Sequence, residues 1–89
     1  MRAIITVVGH DTVGILSKVS TACADNDVNV MEVTQSILSD LFCMIMLVDV
    51  NKLKIPFGEF SDLLSDLGKK ENLNIRIMRE DLFNSMHRI

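Results

Sequence analysis

Ile4-Ile5-Thr6-Val7-Val8-Gly9-His10-Asp11-Thr12-Val13-Gly14-Ile15-Leu16 is the stretch on which the fold turns. Its first five residues are β-branched and suit a strand. From Ile15 onward, Ile15, Leu16, Val19, Ala22 and Cys23 return at three- and four-residue steps, the spacing of one helical face. Between the two, Gly9 tolerates backbone angles that other residues resist. Asp11 is placed to cap the helix, its carboxylate accepting backbone N–H groups two or three residues on. Gly14 is then expected inside the first turn, near the third helical position. A glycine there weakens a helix by about 0.5–1 kcal/mol relative to alanine. The expected reason for it is close approach: a neighbouring backbone or a small ligand packs where a side chain would have been.

Working outward, residues 3–9 read as a strand and residues 12–26 as a helix. Asp25-Asn26-Asp27 is a polar stop. Val28 to Leu38 reads as a second strand, with Val28, Val30, Met31 and Val33 supplying apolar contacts. Ser39-Asp40 is a two-residue turn of the kind that joins antiparallel strands. Leu41 to Val50 is a third strand, and residues 51–55 form a loop. Pro56 opens a second helix, where its missing N–H costs nothing. Phe57, Phe60, Leu63, Leu64 and Leu67 mark one face of that helix. Gly68 weakens its end, and Lys69, Lys70 and Glu71 form a polar exit. Leu73, Ile75 and Ile77 alternate with Asn74 and Arg76 in a fourth strand. In the tail, Leu82, Phe83, Met86 and Ile89 fall at helical spacing and predict a short extra helix.

The order is βαββαβ, two βαβ halves joined by a hairpin. Right-handed crossovers interleave such strands into one four-stranded antiparallel sheet with both helices on one face. The expected fold is therefore α+β, a ferredoxin-like sandwich with a short C-terminal helix. That architecture by itself assigns no function. The third strand adds a further expectation. Phe42, Met44, Met46, Val48 and Val50 alternate with Leu41, Cys43, Ile45, Leu47 and Asp49, so both faces are apolar for most of their length. A sheet with one wet face should alternate cleanly. The second face is thus expected to be covered by a partner subunit or by the C-terminal segment, the alternative being a central strand that is merely apolar.

Eighty-nine residues form a single domain, 1–89, with a core over 3–78 and a tail over 79–89. A body this small has a thin stability margin, which a partner subunit would widen. No run of about 18 uncharged apolar residues exists, so no membrane helix is expected. The N-terminus reads as a strand, not a signal peptide. Cys23 and Cys43 are the only cysteines and both lie in apolar segments, so two buried free thiols and a reducing cytoplasm are expected. No Cys or His spacing suggests a metal.

The net charge of −3, from nine basic and twelve acidic residues, carries no basic block and argues against a nucleic-acid partner. RNA-recognition motifs share this strand order but stack bases on aromatics of the first and third strands. Here the first strand has none and the third has only Phe42. Catalysis needs paired groups within reach. His10 and Asp11 are sequence neighbours whose side chains generally diverge, and His87 has no evident partner, so no enzymatic activity is expected.

Strand, then Gly9 to Leu16, then helix, then Asp27-Val28-Asn29-Val30 resembles the opening of an ACT domain. Asp11-Thr12-Val13-Gly14-Ile15 matches the first part of that family's pattern, with valine where proline is frequent. Asn29-Val30 matches the second part, and Phe42-Cys43-Met44-Ile45-Met46 resembles the apolar third strand. The similarity covers residues 3 to 78. It is greatest to small stand-alone bacterial ACT proteins and extends to the ACT halves of the glycine cleavage system transcriptional repressor.

The resemblance implies a regulatory module, typically binding an amino acid at a homodimer interface and acting in trans, with no cofactor. The site residues it implies are Asp11, Thr12, Val13, Gly14 and Ile15, with Asn29 and Val30 across the interface. The helix N-terminus suits a ligand carboxylate, and Asp11 or Asn29 would accept from an ammonium. Asp11 departs from the amide that is frequent there, so its charge must face the ammonium or serve as the cap. His10 is either a ligand contact or a solvated loop histidine. Gln35 is a further candidate for the same interface. The alternative function is a structural or protein-interaction module with no small-molecule ligand.

Overall fold

The β-branched run near the N-terminus takes the central place in a sheet. The computed structural model describes residues 1–10 and 14–86. Its elements are β1 (Arg2–Gly9), α1 (Ile15–Asp25), β2 (Asn29–Leu38), β3 (Leu41–Asp49), α2 (Phe57–Glu71), β4 (Asn74–Arg79) and α3 (Glu80–Met86). The sheet runs β2-β3-β1-β4, with every neighbouring pair antiparallel. This is the expected βαββαβ sandwich with its short C-terminal helix. No described helix is long and apolar enough to cross a membrane.

Register decides which face is core. Ile5 stands opposite Met46 and Ile77, and Val7 opposite Met44 and Ile75. Residues directly opposite share a face. The odd positions of β1 therefore meet the even positions of β3. Ala3, Ile5, Val7, Met44, Met46 and Val48 are fully enclosed there beneath Val19 and Cys23 of α1 and Phe60 and Leu64 of α2.

The other face of the sheet is only partly closed. Leu41, Cys43 and Leu47 are half-buried, while Ile45 remains 46% exposed. Cys43 is thus not fully buried, because it lies on this face. The tail helix α3 packs on β1 and β4. Arg2 of β1 ties to it through Glu80, with Nη2 to Oε2 at 2.7 Å. Leu82 and Met86 stay exposed on α3, so the tail does not seal the middle of β3.

The edge strand β2 departs furthest from expectation. Val28 is buried just before it and Val30 is half-buried, but every residue from Met31 to Leu38 is exposed. Ile37 and Leu38 are 70% and 72% exposed. A register shift between Val30 and Glu32 leaves Met31 without a partner on β3. Beyond it the hairpin carries β2 away from the helical layer. Met31 and Val33 therefore do not supply the core contacts that their apolar character suggests. Ser39 turns the hairpin with a φ of 60°.

The second helix shows why glycine stands at position 68. Pro56 is its N-cap rather than its first residue, and the helix runs three residues past Gly68. Leu73 N donates to Gly68 O at 2.7 Å and Asn72, at φ 59°, ends the helix. This brings β4 back across α2 at very close range. A Cβ on Gly68 would lie 2.6 Å from Leu73 O and 3.2 Å from Ile75 N. Gly68 is a close-approach residue, not a weak helix end. Gly9 plays the matching part on β1, where a Cβ would collide with the Leu73 side chain.

Gly68→Ala should destabilise the protein by about 1–3 kcal/mol, because the added methyl meets backbone that cannot step aside. Gly58→Ala, with nothing within 4 Å of its Cβ, should instead stabilise by about 0.5–1 kcal/mol through helix propensity. Urea denaturation of the two variants beside the parent protein checks both signs.

Candidate functional site

The loop after β1 emerges where three elements end together. Gly9 stands opposite Phe42, and Phe42 opposite Ile37, so the loop is level with the tip of the β2–β3 hairpin. His10 reaches that tip, its Nδ1 lying 3.6 Å from Asp40 Oδ2. Both side chains are largely exposed, so the pair adds little stability. Its consequence is positional: it joins the first loop to the hairpin. From the sequence, Ser39-Asp40 reads only as a turn. The sole signal for the contact was that turn's place opposite the end of β1 in the expected strand order.

Gly14 is the N-cap of α1, with φ 72° and ψ 5°, and not a residue of its first turn. The cap position therefore falls to Gly14 and not to Asp11. Asp11, Thr12 and Val13 lie outside the described residues. Among the described residues a Cβ on Gly14 would meet only Lys18 Cε at 3.9 Å. Crowding by the described residues is thus not the reason for this glycine. Its reason is the left-handed backbone conformation, which side chains with a Cβ resist. Gly14 O accepts from Lys18 N at 3.0 Å and so begins the helix.

Among the described residues no side chain caps the first N–H groups of α1, and its first turn contains no acidic residue. A helix N-terminus carries donors without intrahelical partners and the positive end of the helix dipole. An anion is the natural partner for that arrangement. Ile15 cannot offer its side chain to a ligand, because it is buried in the core.

The remaining candidates fall into two groups. Gln35 is exposed on β2 opposite Met44, three residues from the strand end that faces the loop. Asn29 is exposed at the far end, opposite Asp49, and Val30 beside it packs onto the core. Asn29 and Ile37 are eight residues apart, about 25 Å along a strand. Within one chain, His10, Gly14 and Gln35 share one end of the sheet and Asn29 and Val30 the other.

A family model described as "ACT domain" matches residues 2–78. The chain belongs to the ACT domain family. ACT domains are regulatory ligand-binding modules. A UPF0237 protein of Methanococcus maripaludis is 42% identical over 99% of this chain and 98% of its own. An ACT domain protein from Streptococcus pneumoniae superposes with a TM-score of 0.83 at 32% identity, covering 93% of each chain. Relatives therefore occur in archaea as well as bacteria, a wider range than the bacterial one expected. A putative glycine cleavage system transcriptional repressor matches with a TM-score of 0.71 at 20% identity. It covers 86% of this ACT domain and 44% of the repressor chain, and at that identity it shows the fold alone.

The two cysteines of this ACT domain are free. Burial pushes the Cys23 thiol up to about 11 from an ordinary 9.0. Among the described residues no group of three metal-ligating side chains gathers.

Gly14→Ala should cost about 1–2 kcal/mol, the penalty of a Cβ in the left-handed region, and Gly14→Asn should cost less. Urea denaturation of both variants measures the difference. Cys23 predicts a pH dependence. The unfolded chain releases its thiol proton near 9, while the folded chain holds it to about 11. The stability this group contributes is complete below pH 9 and is lost as the pH rises towards 11. Denaturation at pH 7, 9 and 10.5 should show that fall in the parent protein and a flatter one in Cys23→Ala.

Proposed function

We propose that this ACT domain binds an amino acid or a similar small molecule at a homodimer interface and acts in trans on another protein. One observation carries the reading: β2 is an open edge with Met31, Val33, Ile37 and Leu38 exposed, and the two groups of candidate residues lie towards its two ends. An exposed strand edge is a template for another strand. A second copy is the simplest strand to supply, and a two-fold axis makes the contact self-complementary.

If two β2 strands pair antiparallel about their midpoint, between Val33 and Thr34, each start lies beside the other's end. Asn29 and Val30 of the partner subunit then stand opposite Leu38 and Ile37, level with the end of β1 across β3, and Gln35 lies two residues further along the same strand. Neither end alone forms an enclosed site, and the pairing would build two identical ones. The first N–H groups of α1 suit the ligand carboxylate. Asp11 and Asn29 suit the ammonium, Thr12 and Val13 are further proposed ligand residues, and His10 is held close by Asp40.

The protein is read as a regulator with no catalytic reaction of its own. Its two free cysteines suit a reducing, cytoplasmic setting. The exposed Leu82 and Met86 of α3 favour a second reading, a protein-interaction module without a small-molecule ligand.

Sedimentation should find a dimer at micromolar concentration. Val33→Glu, which sets two carboxylates near the axis, should shift it to monomer. At least one amino acid should raise the melting temperature of the parent protein, by the equivalent of about 2.7 kcal/mol at a hundredfold excess over Kd. The same ligand should lose its effect on Val33→Glu. A dimer indifferent to every amino acid would favour the second reading, and a strict monomer would remove the interface from both.

A further inference from the structure

We propose that the cavity between the end of β1, the start of β4 and the last turns of α2 binds a small dianion, a phosphate or a dicarboxylate. The cavity measures about 680 Å³, within the range of small-molecule sites. Lys69, Arg76, His10, Asn72 and Asn74 line it, and among the described residues no aspartate or glutamate does. That is unusual in a chain whose acids outnumber its bases by twelve to nine.

The two cations at this cavity, like Lys52 and Lys70 elsewhere, have no carboxylate partner among the described residues. Arg2, Lys18, Lys54 and Arg79 each pair with a carboxylate. Lys69 and Arg76 pair with none among the described residues. A second groove, over α1 and α2, makes the contrast. It too carries lysines, Lys18 and Lys70, but Asp25, Asp66 and Glu71 stand among them. Of the two, the cavity beside β4 presents positive charge with no counter-charge among the described residues.

Lys69 lies in the last turn of α2, where a cation also complements the helix dipole. That accounts for one lysine and leaves Arg76, on β4, unexplained. The carbonyl end of α2 repels anions, but it is partly spent here. Gly68 O accepts from Leu73 N at 2.7 Å and Lys69 O from Asn72 N at 3.4 Å. Two full charges exceed the half charge of a helix end. The guanidinium fork of Arg76 suits two oxygens of one phosphate or carboxylate. A lysine is the point charge that answers the second negative charge. His10 is engaged by Asp40, so the assignment rests on Lys69 and Arg76.

The cavity flanks β4, at the opposite edge of the sheet from β2. A ligand here would leave the β2 edge free and stands independently of the proposed dimer. It would touch Gly9 and His10, and so bear on the loop from its other side.

The test is an NMR titration of the uniformly ¹⁵N-labelled protein at fixed ionic strength. Inorganic phosphate is the probe in one arm and succinate in the other. Saturable shifts are expected at the amides of Gly9, Asn72, Asn74 and Arg76 in at least one arm, and the arm that saturates names the anion. Lys69→Gln/Arg76→Gln should weaken the binding by at least about tenfold, the scale of losing charged hydrogen bonds. Lys52→Gln/Lys70→Gln, with the same change in net charge, should alter it less than about twofold. Should the first double variant fold poorly, Lys69→Gln and Arg76→Gln singly give the reading. Shifts that never saturate in either arm would overturn the proposal. So would shifts that ignore Lys69 and Arg76, or an equal loss in the control.

Discussion

The placement of β1 between β3 and β4 is the constraint on which the rest of the molecule depends. Both edges of β1 are consumed by ladders, and both its faces are largely closed. A strand so placed must be apolar throughout, and Ile4 to Val8 are β-branched without interruption. Its end is held as firmly as its middle. Leu73 sits against Gly9, and its backbone oxygen lies where Gly68 would carry a Cβ. The loop that follows thus leaves from a fixed point, flanked by the hairpin tip and by the start of β4. A regulatory module needs such an arrangement: the loop proposed for recognition is short, while its base is carried by the core.

Placing β1 and β3 in the middle leaves β2 and β4 at the edges, and the two edges differ in chemistry. The β2 edge is exposed beyond Val30, with Met31, Val33, Ile37 and Leu38 uncovered among polar residues, and the helical layer does not reach it. A small domain rarely leaves such an edge without a partner, because it invites pairing with another strand. The β4 edge is flanked by polar side chains and the charges of Lys69 and Arg76. The proposed pairing uses the first edge and the proposed anion site the second. The β1 end lies between them. A ligand on either side would bias the same segment, which is the physical requirement for one site to influence another.

Much of this was legible in the order of residues. The βαββαβ arrangement follows from local signals: a β-branched run, two helical faces at three- and four-residue steps, and a two-residue turn. The family followed from Asp11 to Ile15 and from Asn29-Val30, matched one by one. Reading failed where the outcome depends on what lies opposite. Gly14 was expected inside a helix because the helical pattern was extended back to Thr12. Gly68 read as a weak helix end, because no local pattern tells that β4 returns across it. Met31 and Val33 read as core because they are apolar, yet the bulge beside Val30 and the short reach of α1 leave them outside.

By itself the sequence determined the elements, their order, the apolar faces and the family, because these depend on contacts between near neighbours and on periodicity. Only the tertiary structure decided that Asn29 and the Gly9–Gly14 loop stand at opposite ends of β2. It alone brought His10 to Asp40 and gathered Lys69 and Arg76 around one cavity. These outcomes join residues that the chain separates by seven to thirty positions. They arise from strand register and from the return of β4 over α2, and the local pattern of residues does not encode them.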